Sequence, residues 1–163
     1  MGCFFVSDLH GRTDRYEKLF AVIRAELPSA VFIGGDILPT GSLVRAALGP
    51  AHDDFIRRYL APAFQALRKD LGPAAPEVFL ILGNDDARIE EESVLKAEAR
   101  GCWHYAHGRK LFLGPHAVYG YACVPPTPFL LKDWEQYDVS RYVDPGCVSP
   151  EEGYRSVAIS PDE

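Results

Sequence analysis

The chain has 163 residues, of which 47% are hydrophobic and 12% aromatic, and carries a net charge of −6. A chain of this length buries roughly 70% of its unfolded surface, so residues 1–163 are read as a single domain with a real core, and disorder is excluded for most of it. The acidic balance argues against a nucleic-acid backbone as the default partner, because no basic excess exists to displace counterions; a nucleotide stays open as a substrate, since a metal ion can supply the positive charge.

In chain order, residues 2–6 form a short apolar run that stops at Ser7-Asp8 and reads as a buried strand. Residues 13–27 place Tyr16, Leu19, Phe20, Ile23 and Leu27 at helical spacing, with Thr13 as N-cap, and Pro28 closes the helix. Residues 30–33 read as a second buried strand, ended by Gly34-Gly35. A loop with Pro39, Gly41, Gly49 and Pro50 follows, and Asp53 or Asp54 is expected to cap a helix through Phe55, Ile56, Tyr59, Leu60, Phe64 and Leu67. Residues 78–82 are a third buried strand, ended by Gly83, and residues 88–100 a helix stopped by Gly101. This alternation predicts a parallel sheet covered by helices. Beyond it, residues 102–105, 110–113 and 117–121 read as short strands of an antiparallel ribbon. From Val124 the chain turns Pro-rich and aromatic, with Pro125, Pro126, Pro128, Phe129 and Trp134.

Cys3, Cys102, Cys123 and Cys147 are widely spaced and form no Cys-x-x-Cys pair, so they read as reduced thiols of a cytoplasmic protein. No apolar run approaches the roughly 20 residues of a membrane span, and the first residues lack the features of a signal peptide or a myristoylation site. No membrane partner is expected.

Each of the three predicted strands ends in groups able to bind metal. They are Asp8-Leu9-His10, Gly34-Gly35-Asp36 and Gly83-Asn84-Asp85-Asp86. In a parallel sheet with helical crossovers, these ends lie along one edge, where open α/β sheets bind ligands. Asp8 and His10 are two apart and point the same way in an extended segment. Taken singly, each motif is ordinary turn chemistry; at three successive strand ends they read as one metal site. Oxygen and imidazole donors of this kind suit Mn, Fe, Zn, Ni or Co.

Asp8-x-His10, Gly35-Asp36 and Gly83-Asn84-x-Asp86, in this order, resemble the first three motifs of the calcineurin-like metallophosphoesterases. The stretch Val124-Pro125-Pro126-Thr127-Pro128-Phe129 with Lys132-Asp133-Trp134 is similar to a segment of uncharacterised bacterial and archaeal members. The resemblance implies an α/β fold of the four-layer αββα sandwich type, incomplete in this chain. It implies two divalent ions, with Asp8 and His10 on the first, Asp36 bridging, Asn84 on the second and near the phosphate, and Asp86 behind the ligands. A hydroxide between the ions would attack the phosphorus of a phosphomonoester or phosphodiester, a small phosphate ester or a nucleotide.

The chain departs from the family pattern twice. The family's usual His after Asn, which protonates the leaving oxygen, is Asp85 here. An aspartate beside two cations keeps its charge and makes a poor general acid, so leaving groups that need little protonation are expected. The family's later His and Gly-His-x-His are absent, which implies a domain cut short, weaker metal binding and reduced turnover. The alternative is a catalytically impaired phosphate- or nucleotide-binding module of the same fold. A Rossmann-like nucleotide binder is disfavoured, because no Gly-x-Gly-x-x-Gly follows the first strand.

The remaining candidates read more plainly. His104, His107 and His116 are taken as surface or supporting residues, with no zinc-ligand spacing between them. His52 is placed near a helix start, in a loop that could reach substrate. Phe129 and Trp134 are taken as packing residues, and Glu90, Glu91 and Glu92 as partners of a helix dipole. A half-built sandwich would expose apolar sheet surface, so self-association is expected.

Overall fold

The computed structural model describes residues 2–40 and 55–158. Four parallel strands form the main sheet in the order β1-β2-β3-β4: β1 Cys3–Val6, β2 Ala30–Gly34, β3 Glu77–Ile81 and β4 His104–Tyr105. The register is continuous, with Phe5 opposite Phe32 and Phe32 opposite Phe79. Helix α1 (Thr13–Glu26) joins β1 to β2. A π-helical turn at Ile56–Leu60 runs into α2 (Ala61–Leu71), which leads to β3. A 3-10 turn at Arg88–Glu90 followed by α3 (Glu91–Glu98) leads to β4. The expected capping residues Asp53 and Asp54, and His52 with its loop, lie outside the described residues.

Strand order follows chain order without reversal. Crossovers of one hand then deliver every helix to the same side of the sheet. One core cluster accordingly unites Tyr16, Phe20 and Ile23 of α1, Phe64 and Leu67 of α2, and Val94 of α3 with Val31, Ile33, Val78 and Leu80 of the sheet. The alternation of strand side chains sends Phe5, Phe32 and Phe79 to the opposite face. There Phe32 and Phe79 stack at 5.3 Å, and Phe5 is 73% exposed. A hairpin of β5 (Lys110–Leu113) and β6 (His116–Tyr119) partly roofs this face. Between hairpin and sheet lies an open apolar groove of about 220 Å³, lined by Phe5, Phe32, Phe79, Val118 and Tyr121 among others.

Several expectations change. β1, expected to be buried, is an edge strand with Cys3 and Phe5 exposed. Residues 102–105 do not join the antiparallel ribbon. His104 and Tyr105 pair in parallel with Phe79 and Leu80, because α3 completes the third strand-helix unit and returns the chain to the sheet; among the described strands only β5 and β6 are antiparallel. Thr13 is the first helical residue and not the cap. Arg12 holds the cap position with extended backbone and no side-chain cap bond. Leu27 ends α1 in a left-handed conformation, with φ 46°, just ahead of Pro28.

The Pro-rich segment is built around buried charge. Lys132 and Glu135 are both fully buried, with Nζ 2.5 Å from Oε2. Lys132 Nζ also donates to the Thr127 carbonyl at 3.0 Å. Glu135 accepts the Thr127 amide at 2.7 Å and its hydroxyl at 2.5 Å. Asp133 accepts the Arg88 amide at 2.7 Å and both the amide and hydroxyl of Ser156. Each of these three buried charged side chains thus meets a partner, as burial requires. Trp134 is buried as expected, whereas Phe129 is 62% exposed and packs into no core. All four cysteines are free thiols. Among the described residues no helix is long and apolar enough to cross a membrane.

Candidate metal centre

The loops after β1, β2 and β3 meet at the carboxyl edge of the sheet. Beyond β1 the chain stays beside the second loop, with the amides of Asp8, His10 and Gly11 donating to the carbonyls of Gly35, Asp36 and Ile37 at 3.2, 2.7 and 2.9 Å. Three non-glycine residues here have left-handed backbone: Asp8 at φ 59°, His10 at φ 48° and Asp36 at φ 53°. Leu27 is the fourth such residue among those described. Left-handed backbone costs an L-residue roughly 1–2 kcal/mol and gathers at functional sites, where the surrounding structure holds it in place.

The third loop is fastened to the second by Asp86. Its carboxylate is fully buried and accepts the amides of Leu38 at 2.8 Å, Gly83 at 2.9 Å and Ile37 at 3.1 Å. Burial raises the Asp86 carboxyl to about 6, opposed by these three amide bonds, so at neutral pH it is an anion that both loops share. The backbones touch where this happens. A Cβ on Gly35 would stand 2.6 Å from the Gly83 Cα, and one on Gly83 would strike Asp36. Only glycine lets the two loops come this close.

Three of the four expected ligands are brought together. Asp8, His10 and Asp36 each present one ligand atom, and these atoms all lie within 4.8 Å of one another. One oxygen of Asp36 accepts the Asp85 amide at 2.9 Å, which fixes the carboxylate and leaves its other oxygen for a cation. His10 Nε2 lies 3.9 Å from Asp8 Oδ1, and His10 Nδ1 lies 3.2 Å from Asp85 Oδ2. The latter contact is off the donor axis, so Nδ1 is buried without a hydrogen bond. Two carboxylates and an imidazole at this spacing are a donor set that fits a divalent first-row ion. Asn84 is half-buried on the same loop as Asp85 and Asp86.

Some supporting residues were not singled out from sequence. Arg15 on the first turn of α1 donates to the Asp8 carbonyl, and Ser7 donates to the Asp8 carboxylate. Trp134 Nε1 donates to the Asp86 carbonyl at 2.7 Å, so the buried strap braces the third loop from behind. Of the described histidines outside the site, His104 faces Glu77 at 2.8 Å, His107 accepts the Ala122 amide and packs edge-on to Trp134, and His116 is exposed at the hairpin. Glu91 and Glu92 occupy the first turn of α3, as a helix dipole favours.

No protein-family model matches the chain, and no curated protein matches it. A solved structure is similar at a TM-score of 0.47 and 20% sequence identity, covering 72% of this chain and 51% of that one. The chain spans about half the length of that structure.

Proposed function

We propose that the chain is a metal-dependent phosphoesterase of the calcineurin-like kind, hydrolysing a phosphomonoester or phosphodiester. The observation that carries the reading is the convergence of Asp8, His10 and Asp36 at successive strand ends, all three on left-handed backbone. The reading takes two divalent ions, with Asp8 and His10 holding the first, Asp36 shared, and Asn84 serving the second and the phosphate. Bound divalent cations supply Lewis-acid stabilisation and a water activated near neutral pH. The chain's own part is orientation. The Asp85 amide fixes Asp36, Asp86 locks the second and third loops together, and the first turn of α1 with Arg15 sets the Asp8 backbone. The open aromatic face of the sheet is, in the same reading, one inner layer of an αββα sandwich, and the free thiols accord with a cytoplasmic location. The groove of Phe5, Phe32 and Phe79 is the surface on which self-association would occur.

Hydrolysis of bis-p-nitrophenyl phosphate with added Mn²⁺ tests the reading. Turnover is expected to disappear with EDTA and in Asp36→Asn. A second reading, a phosphate- or nucleotide-binding module without turnover, is favoured by Asp85 lying against His10, away from the role of proton donor. Mn²⁺-dependent binding of phosphate without hydrolysis would select it.

The same position sets substrate preference. With no neutral acid to protonate a departing alkoxide, kcat/KM for aryl esters should exceed that for alkyl esters by about 100-fold or more, the ordinary contribution of a general acid. Equal values for p-nitrophenyl phosphate and a simple alkyl phosphate would refute this.

A further inference from the structure

The His10 ring is suspended between two carboxylates. On one side Nε2 faces the ligand cluster, 3.9 Å from Asp8 Oδ1. On the other side Nδ1 is buried, lacks a hydrogen bond, and stands 3.2 Å from Asp85 Oδ2. Rotation of the ring toward that oxygen would complete a hydrogen bond at this distance. Asp85 is itself held in place: its amide is bonded to Asp36 Oδ1, and its neighbour Asp86 is anchored by three amides.

We propose that Asp85 is a positioning residue that acts through His10, accepting the Nδ1–H so that Nε2 turns its lone pair to the cation. This rests on reading Asp8, His10 and Asp36 as a cation site. A histidine on a metal commonly gives its second N–H to a carboxylate, which fixes the tautomer and the ring plane. Here that carboxylate comes from the third loop, so the position that departs from the family's pattern contributes to metal affinity and not to proton donation. The groups facing the ring are the carboxylates of Asp8, Asp36 and Asp85; of these, Asp85 is the one on the Nδ1 side.

The test is a double-mutant cycle on the full chain, with Mn²⁺ binding followed by calorimetry. Asp85→Ala should weaken Mn²⁺ binding roughly 10–100-fold, and the isosteric Asp85→Asn, which keeps an oxygen acceptor, should lose less. In a His10→Ala background, Asp85→Ala should cause no further loss. A loss that persists undiminished there makes Asp85 a ligand in its own right and overturns the proposal, as does wild-type affinity in Asp85→Ala. A second measurement needs no metal. Imidazole ¹⁵N shifts of the metal-free chain should report His10 with its proton on Nδ1, and a shift toward the Nε2–H form in Asp85→Ala; an unchanged tautomer also overturns it. Failure of the cation-site reading looks different: wild type and Asp36→Asn would then show the same weak or absent Mn²⁺ binding, while the tautomer still reads the Asp85–His10 bond.

Discussion

Lys132→Met should destabilise the protein by about 3–5 kcal/mol, the cost of leaving one member of a buried ion pair without its partner. Methionine replaces the lysine stem at similar volume, so the change removes the ammonium with little loss of packing. Glu135 would then keep a fully buried carboxylate supported only by the amide and hydroxyl of Thr127, and the Thr127 carbonyl would lose its ammonium donor. Urea unfolding of wild type and variant measures the loss. Lys132→Met combined with Glu135→Gln should recover part of it, since the neutral amide still accepts from Thr127 and the pair leaves no unpaired buried charge. If the single variant unfolds at the wild-type midpoint, the pair contributes nothing to the fold. The effect should also reach the site, because Trp134 lies between Lys132 and Glu135 in sequence and holds the Asp86 carbonyl.

That coupling was hidden in the sequence. Sequence alone assigns Lys132, Asp133 and Glu135 no partners, because Thr127, Arg88 and Ser156 are identified only once the strap has folded. The three long strands were legible, since each is an apolar run ended by glycine or a polar turn. So was the set of strand-end acids, because parallel strands joined by helices share one carboxyl edge. The fourth strand was not, since a pair as short as His104–Tyr105 is defined by its neighbour Phe79-Leu80 and not by its own pattern. The contact between His10 and Asp85 was also out of reach, because it depends on how closely two loops approach. The left-handed backbone at Asp8 and His10 left only a faint local sign, the glycine at position 11.

Gly83→Ala should abolish Mn²⁺ binding and lower stability by about 3 kcal/mol, near the upper end of ordinary overpacking. A methyl group there would meet the backbone amide and carboxylate of Asp36. Backbone yields far less readily than the tip of a side chain, so the second and third loops would have to separate. Separation breaks the Asp85 amide bond to Asp36 at 2.9 Å and strains the Asp86 bonds to Ile37 and Leu38, so the carboxylate placed for the cation loses its orientation along with the loop. Gly72→Ala is the control without a clash. Unlike Gly83, Gly72 has a positive φ, 53° with ψ −124°, but a Cβ there meets nothing within 4 Å, so the substitution should cost about 1–3 kcal/mol of backbone strain with ion affinity unchanged. Calorimetric titration with Mn²⁺ beside urea unfolding separates the two outcomes. Wild-type affinity in Gly83→Ala would mean that the site does not depend on backbone contact between these loops, and that Asp36 is oriented by something other than the third strand's turn.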